Sequence, residues 1–294
     1  VMFLAYAMLF LVTVQRIRKL DDIERLLRWL AIAVVGMAAL GLAQYLLSNG
    51  KFLWVYEHPS RDTRDAVNGS FANKNHFAHF LALGIGPLIW WMQSILGHRA
   101  GKQASGTFMV GGHSDRVQLA RITFAVALGL LAFAGLLSFS RGGIVVMALA
   151  TMACVVIYAR TSVLSRKSLL TLVVVGSVVT VALSIHGHRR LTRRFHTMSA
   201  GTLEQLDQRG ARRNIWAANL MAVPHFAVLG AGIGSHRDVY PMFFEDYANV
   251  EYTHAENGYL QVLLEAGAPG LTLLLAGAGL CGFWCFGALR NCGG

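Results

Sequence analysis

The residues best suited to chemistry stand near the C-terminal end, in Glu251-Tyr-Thr-His254-Ala-Glu256-Asn257-Gly-Tyr259-Leu260-Gln261-Val-Leu-Leu-Glu265-Ala-Gly267-Ala-Pro269-Gly270. An imidazole and carboxylates among amide side chains can hydrogen-bond a substrate and take up its proton. If Thr253 onward is helical, His254, Asn257 and Gln261 fall at i, i+3 and i+7, on one face. The stretch runs into an apolar segment ending near Leu289. Gly267-Ala-Pro269-Gly270 breaks or kinks that segment, because proline lacks an N–H and clashes with the preceding turn. The choice lies between a membrane helix with a polar cap and a catalytic rim at a membrane surface.

Two further polar features carry candidate residues. Gly69-Ser-Phe-Ala-Asn73-Lys74-Asn75-His76-Phe-Ala-His79 opens one apolar run, and Ser138-Phe-Ser140-Arg141-Gly142-Gly143 separates two others. An arginine at a membrane boundary either snorkels to headgroups or binds an anion. Gly142 and Gly143 remove side chains beside Arg141, so a ligand or another backbone can come close. The next helix also aims its free N–H groups at that spot, a common way of holding phosphate.

The elements that must position these residues are membrane helices. Hydrophobic residues make up 55% of the chain and charged ones 14%, against about 25% charged in soluble domains, and mean hydropathy is +0.49. Several apolar runs approach the roughly 20 residues that span a bilayer as a helix. Alternating strand patterns are absent, which leaves helices to satisfy the backbone in lipid. The expected fold is all-α, a polytopic helical bundle with one long extracytoplasmic loop carrying short amphipathic helices. The expected spans are Val1–Val14, Trp29–Leu47, His76–Leu96, Ile122–Phe139, Gly143–Ala159, Ser168–Ile185 and about Tyr259–Leu289. Residues 15–28 are expected to form a loop, and Ser140 to Gly143 a tight hairpin turn. The chain thus reads as helices with short loops over 1–186, the long loop over 187–257 and a final helix over 258–294. It opens inside an apolar run without a charged leader, which reads as a fragment of a longer chain.

Short loops decide orientation, since long ones cross regardless of charge. Loops 15–28, 97–121 and 160–167 hold five, four and three basic residues, which places them in the cytoplasm. The Asn73 region, Arg141, the long loop and the His254 stretch then share the outer face. Within the long loop, Arg212-Arg213-Asn-Ile-Trp216 and the residues after it read as an amphipathic surface helix that Pro224 stops, with Trp216 as interfacial anchor. Gly230-Ala-Gly232-Ile-Gly234 has the wrong spacing for a dinucleotide fingerprint and reads as a tight turn. Arg189, Arg190, Arg193 and Arg194 suit lipid headgroups or an anionic lipid substrate. Cys154, Cys281, Cys285 and Cys292 lack metal-type spacing and read as small core residues. Asp246, Glu251 and Glu256 are a weak candidate set for a divalent ion; the prediction is no metal.

Gly69-Ser-Phe-Ala-Asn73-Lys-Asn75-His76, Ser140-Arg141-Gly142-Gly143, Arg212-x-x-x-Trp216 with Pro224 and Gly230-x-Gly232-x-Gly234, and His254-Ala-Glu-Asn257-Gly-Tyr-Leu-Gln-x-Leu-x-Glu-x-Gly267-x-x-Gly270 occur in that order. Together they resemble the O-antigen ligase and polymerase family of bacterial membrane proteins, over about residues 65 to 275. The resemblance implies an inverting, metal-independent glycosyltransferase that uses no cofactor. It would take a glycan from an undecaprenyl diphosphate carrier, on the periplasmic side of the inner membrane. The acceptor would be lipid A-core, another glycan or a protein, with membrane lipids as surroundings and no nucleic acid involved. A diphosphate leaving group gathers negative charge, which arginine forks stabilise. That role falls to Arg141 and Arg212, with Arg213 as the alternative to its neighbour. The acceptor hydroxyl must lose a proton, which a positioned His or Glu can take. The family often shows Ala-His-Asn before the Tyr-Leu pair, whereas this chain has Ala255-Glu256-Asn257, so either His254 or Glu256 is the base. Asn73, Lys74, Asn75 and His76 look like acceptor-positioning residues, and Asn257 and Gln261 look substrate-binding.

A transporter or channel for an anionic solute is the rival reading, and it calls for charges lining a path across the spans. The expected spans are nearly free of charge. A structural or sensory module rests only on the long loop.

Overall fold

The computed structural model describes residues 2–58, 62–103, 113–160, 211–244, 252 and 254–291, the side chains of Arg141 and Arg212 not included. The expected span Ser168–Ile185, the arginine string from Arg189 to Arg194, Asp246, Glu251 and Cys292 lie outside the described residues. The described residues are mainly helical, and none of them lies in a strand. The chain divides into two compact units, Val1–Leu191 and Thr192–Gly294.

The first unit holds α1 (Met2–Arg16), α2 (Leu20–Leu46), α3 (Lys74–Gln103), α4 (His113–Leu137) and α5 (Arg141–Arg160). α2 begins well before the expected Trp29, so residues 20–28 are helix, not loop. The first turn explains it. Asp22 accepts the backbone N–H groups of Arg18 and Lys19 at 3.2 and 3.1 Å. Asp21 and Asp22 also set negative charge against the helix N-terminus. One turn on, Arg28 pairs with Glu24 at 3.0 Å, at the i, i+4 spacing that supports a helix.

α3 is the centre of this unit and packs on α2, α4 and α5. Its Phe77, Leu81, Ile85 and Leu88 are buried with Val34 and Ala38 of α2, Leu131 of α4 and Met147 of α5. Lipid is as apolar as these side chains, so close fit rather than exclusion from water must hold such helices together. Gly84 provides one such fit, since a Cβ there would lie 2.5 Å from Val34. The expected Ser140–Gly143 hairpin turn is also revised. Ser138 and Phe139 make the turn, Phe139 taking a left-handed φ of 51°, and Arg141, Gly142 and Gly143 are already the first turn of α5.

The second unit holds α6 (Ala211–Phe226), α7 (His236–Val239), a 3₁₀ turn over Tyr240–Phe243, and α8 (Gly258–Asn291). α6 runs through Pro224 and ends two residues later, so Pro224 does not stop it. The polar stretch before α8 is not helical: α8 starts at Gly258, and Asn257 caps it. The carboxamide oxygen of Asn257 accepts the N–H groups of Tyr259 and Leu260 at 3.1 and 3.3 Å.

α8 is bent at Gly267, with φ 66° and ψ −167°. The break leaves the Leu264 and Glu265 carbonyls without their usual i+4 donors. Ala268 turns its N–H away, and Pro269 has none. The segment after α6 fills the gap. Ala231 N–H donates to Leu264 O at 2.8 Å and Gly232 N–H to Glu265 O at 3.0 Å, while Ala268 N–H donates to Ala227 O at 2.7 Å. The contact is so close that a Cβ on Gly230 would strike the Glu265 carbonyl, and one on Gly267 would lie 2.7 Å from Gly230 N. Gly230, Gly232 and Gly234 all have positive φ, as the expected tight turn requires.

Among the described residues, three helices are long and apolar enough to cross a membrane, over Leu20–Leu46, Gln118–Leu137 and Gly258–Arg290. Beyond its bend α8 presents Leu273, Phe283, Trp284 and Phe286 outward, a continuous apolar surface suited to lipid. Cys281 and Cys285 are exposed on the same helix, so they are not core residues. Cys154 is half-buried.

Candidate functional site

In the first unit the candidate residues gather where α3 and α5 begin. Asn73 caps α3, its carboxamide oxygen accepting the Asn75 N–H at 2.9 Å. Asn75 in turn accepts the Ser140 hydroxyl at 2.7 Å. Ser140 caps α5 by accepting the Gly143 N–H at 3.0 Å. Two helix N-termini are thereby stitched together through one hydroxyl, with Arg141 as the first residue of α5. Gly143 is occupied by α3, since a Cβ there would run into Ala78, whereas Gly142 has open space beside it. Of the two glycines, then, Gly142 is the open one. Lys74 is half-buried and His76 exposed.

The loop that delivers Asn73 is held by a residue not singled out in sequence. Gln44 is 1% exposed; its amide N–H donates to Gly69 O at 3.0 Å, and its oxygen accepts Leu53 N–H at 2.7 Å. Val67 N–H donates to the Leu137 carbonyl at the end of α4, 3.0 Å away. The available signal was a lone glutamine inside an apolar span, where a polar side chain is expensive unless satisfied.

In the second unit the candidates gather at the head of α8. His254 and Glu256 are exposed, and Ala255 between them is buried. Trp216 of α6 donates its indole N–H to the Ala255 carbonyl at 2.9 Å, so it anchors this segment as well as offering its ring outward. Gln261 lies one turn into α8. Its oxygen accepts the Ala255 N–H at 3.4 Å and its nitrogen donates to Glu265 at 2.9 Å. That same nitrogen is 3.5 Å from His254 Nδ1. The other Glu265 oxygen accepts the Gly234 N–H at 2.9 Å. Glu256 has a φ of 53°, a region that costs a residue with a side chain and that collects at functional sites. Arg212 is the second residue of α6, and Arg213 beside it is exposed.

A buried aromatic cluster backs this segment. Asn219 donates to Ile215 O at 2.7 Å and faces His236 Nε2 at 3.1 Å. The His236 ring stacks on Tyr240 with centroids 5.0 Å apart. The Tyr240 hydroxyl accepts the Tyr252 N–H at 2.9 Å, two residues before His254. Among the described residues, no three His, Cys, Asp or Glu side chains are grouped to hold a metal ion.

A protein-family model described as O-antigen ligase matches residues 126–275, just over half of the 294-residue chain. The match takes in Arg141, Arg212 and the His254 segment, while Asn73 to His76 precede it. No curated protein and no solved structure matches the chain.

Proposed function

The chain belongs to the O-antigen ligase family, whose members carry out ligase- or polymerase-type glycan transfer in a membrane, and from that premise we propose the following reaction. The donor is a glycan on undecaprenyl diphosphate. It is passed to an acceptor at the periplasmic face of the bacterial inner membrane. The acceptor hydroxyl attacks the anomeric carbon, and the bond from that carbon to the phosphate oxygen breaks with inversion. The bonding pair leaves with the diphosphate, and the acceptor's proton passes to His254 or Glu256.

One observation carries the assignment: Arg141 and Arg212 each stand in the first turn of a helix. There the positive end of the macrodipole, with the N–H groups that no cap takes up, favours a phosphate, and a guanidinium adds a two-pronged donor. Arg213 is held in reserve for Arg212. Asn257 and Gln261 shape the mouth of α8, and Lys74 and His76, on either side of the Asn75 that bonds Ser140, serve as contacts for the acceptor.

The test is transfer in reconstituted vesicles from a polyprenyl diphosphate donor without added metal, offering lipid A-core, free glycan or protein as acceptor. Arg141→Ala and Arg212→Ala should each abolish product while the protein stays folded. Unchanged turnover in both would end the assignment. EDTA should have little effect, and strong inhibition would point to a metal mechanism.

A further inference from the structure

Glu265 is a carboxylate 6% exposed inside a largely apolar helix. Among the described residues no cation pairs with it, an expensive arrangement unless its oxygens are otherwise engaged. Both are engaged. Gly234 N–H can only donate, so the oxygen facing it accepts. Ala255 N–H also can only donate, so the Gln261 atom facing it is the amide oxygen. The Gln261 nitrogen must then face Glu265, as observed. The reversed amide would set oxygen against carboxylate and N–H₂ against N–H. Two backbone donors thus fix the polarity of the whole chain of groups.

That polarity reaches His254. The group 3.5 Å from its Nδ1 is the same Gln261 nitrogen, which carries hydrogens and no lone pair to offer. A ring nitrogen facing a donor keeps its own lone pair, so the proton of the neutral imidazole sits on Nε2. A histidine in that form donates through Nε2 and cannot take a proton there.

We propose that Glu265 is a positioning residue that, through Gln261, sets His254 as a hydrogen-bond donor at Nε2 and leaves Glu256 to remove the acceptor's proton. This rests on the glycan-transfer reading of the site. In the reaction the acceptor O–H proton moves to the Glu256 carboxylate as the new glycosidic bond forms. His254 Nε2–H donates to an anionic oxygen of the departing diphosphate without giving up its proton.

The tautomer is read directly from ¹⁵N spectra of histidine-labelled protein in lipid, with His254→Gln supplying the assignment by difference. The expected wild-type signals are an unprotonated Nδ1 and a protonated Nε2; the reverse overturns the proposal. Gln261→Leu leaves the Glu265–Gly234 contact in place, and it should raise the Nδ1–H form. An unchanged spectrum would show that Gln261 does not set the tautomer. In transfer assays Glu256→Gln should lower kcat by about 10²-fold or more. His254→Gln, which keeps an N–H donor, should lose only about tenfold. The opposite ranking would return the base role to His254 and sink the proposal. The spectrum reports on the ring whether or not glycan moves, so a wild-type protein without transferase activity would strike the transfer reading alone.

Discussion

The hydroxyl of Ser140 donates to the carboxamide oxygen of Asn75 at 2.7 Å and joins the first turns of two helices. The same hydroxyl accepts from Gly143 N–H, so Asn75 holds it in the orientation that capping needs. Ser140→Ala should therefore destabilise the protein by about 1–2 kcal/mol, read from thermal unfolding in detergent. Asn75→Asp keeps an acceptor and should stay close to wild type, whereas Asn75→Leu should resemble Ser140→Ala.

Charge alone will not replace the guanidinium. Arg141→Lys and Arg212→Lys keep a cation but lose the fork. Each should lower kcat/KM for the diphosphate donor by about tenfold or more, the worth of one charge-assisted hydrogen bond. Recovery to wild-type values would mean that only net charge matters there.

The glycines after α6 should separate sharply. A methyl at Gly230 would collide with the Glu265 carbonyl, while Gly232 has open space and bears only the strain of φ 108°. Gly230→Ala should cost about 3 kcal/mol or prevent folding, and Gly232→Ala about 1 kcal/mol. Unfolding midpoints of the two variants check the contrast.

Trp216→Phe keeps a ring but removes the donor to Ala255 O. Leaving a carbonyl of a buried residue unpaired costs about 1–3 kcal/mol. The segment bearing His254 and Glu256 should loosen, and kcat should fall more than donor KM rises. Equal kcat in both proteins would reduce Trp216 to an interfacial anchor.

Asn257→Ala removes the cap of α8, at a cost of about 1 kcal/mol, and Asn257→Ser should restore most of it. The amides of Tyr259 and Leu260, which the cap holds, should lose protection in hydrogen exchange while those deeper in α8 do not.

Helix-level features were readable from composition and from local rules. The apolar runs, the bend at Gly267 and the helix beginning near Arg212 each follow from a few adjacent residues. Where the structure differs, charges or partners distant in sequence decide. Asp21 and Asp22 extend α2 backwards into residues that read as a loop because of their arginines. His254 and Gln261 do come together, although the helix between them begins only at Gly258. Asn73 and Asn75 carried the right polar signal, yet their oxygens serve Asn75 N–H and Ser140. Glu265 stood inside a quoted motif without a role, because its partner Gly234 is 31 residues away. Gln44 was hidden in the same way, as one polar atom pair in an oily stretch.

The bend in α8 is plugged by peptide groups from residues 227–232 rather than left to solvent. A proline elbow with vacant carbonyls can swing; this one is bolted. Pulling on the lipid-facing arm of α8 would therefore drag the glycine turn with it instead of flexing at the joint. The imidazole and carboxylates at the helix head share that rigid mount, so their spacing should survive bilayer thinning that would splay an ordinary kinked helix.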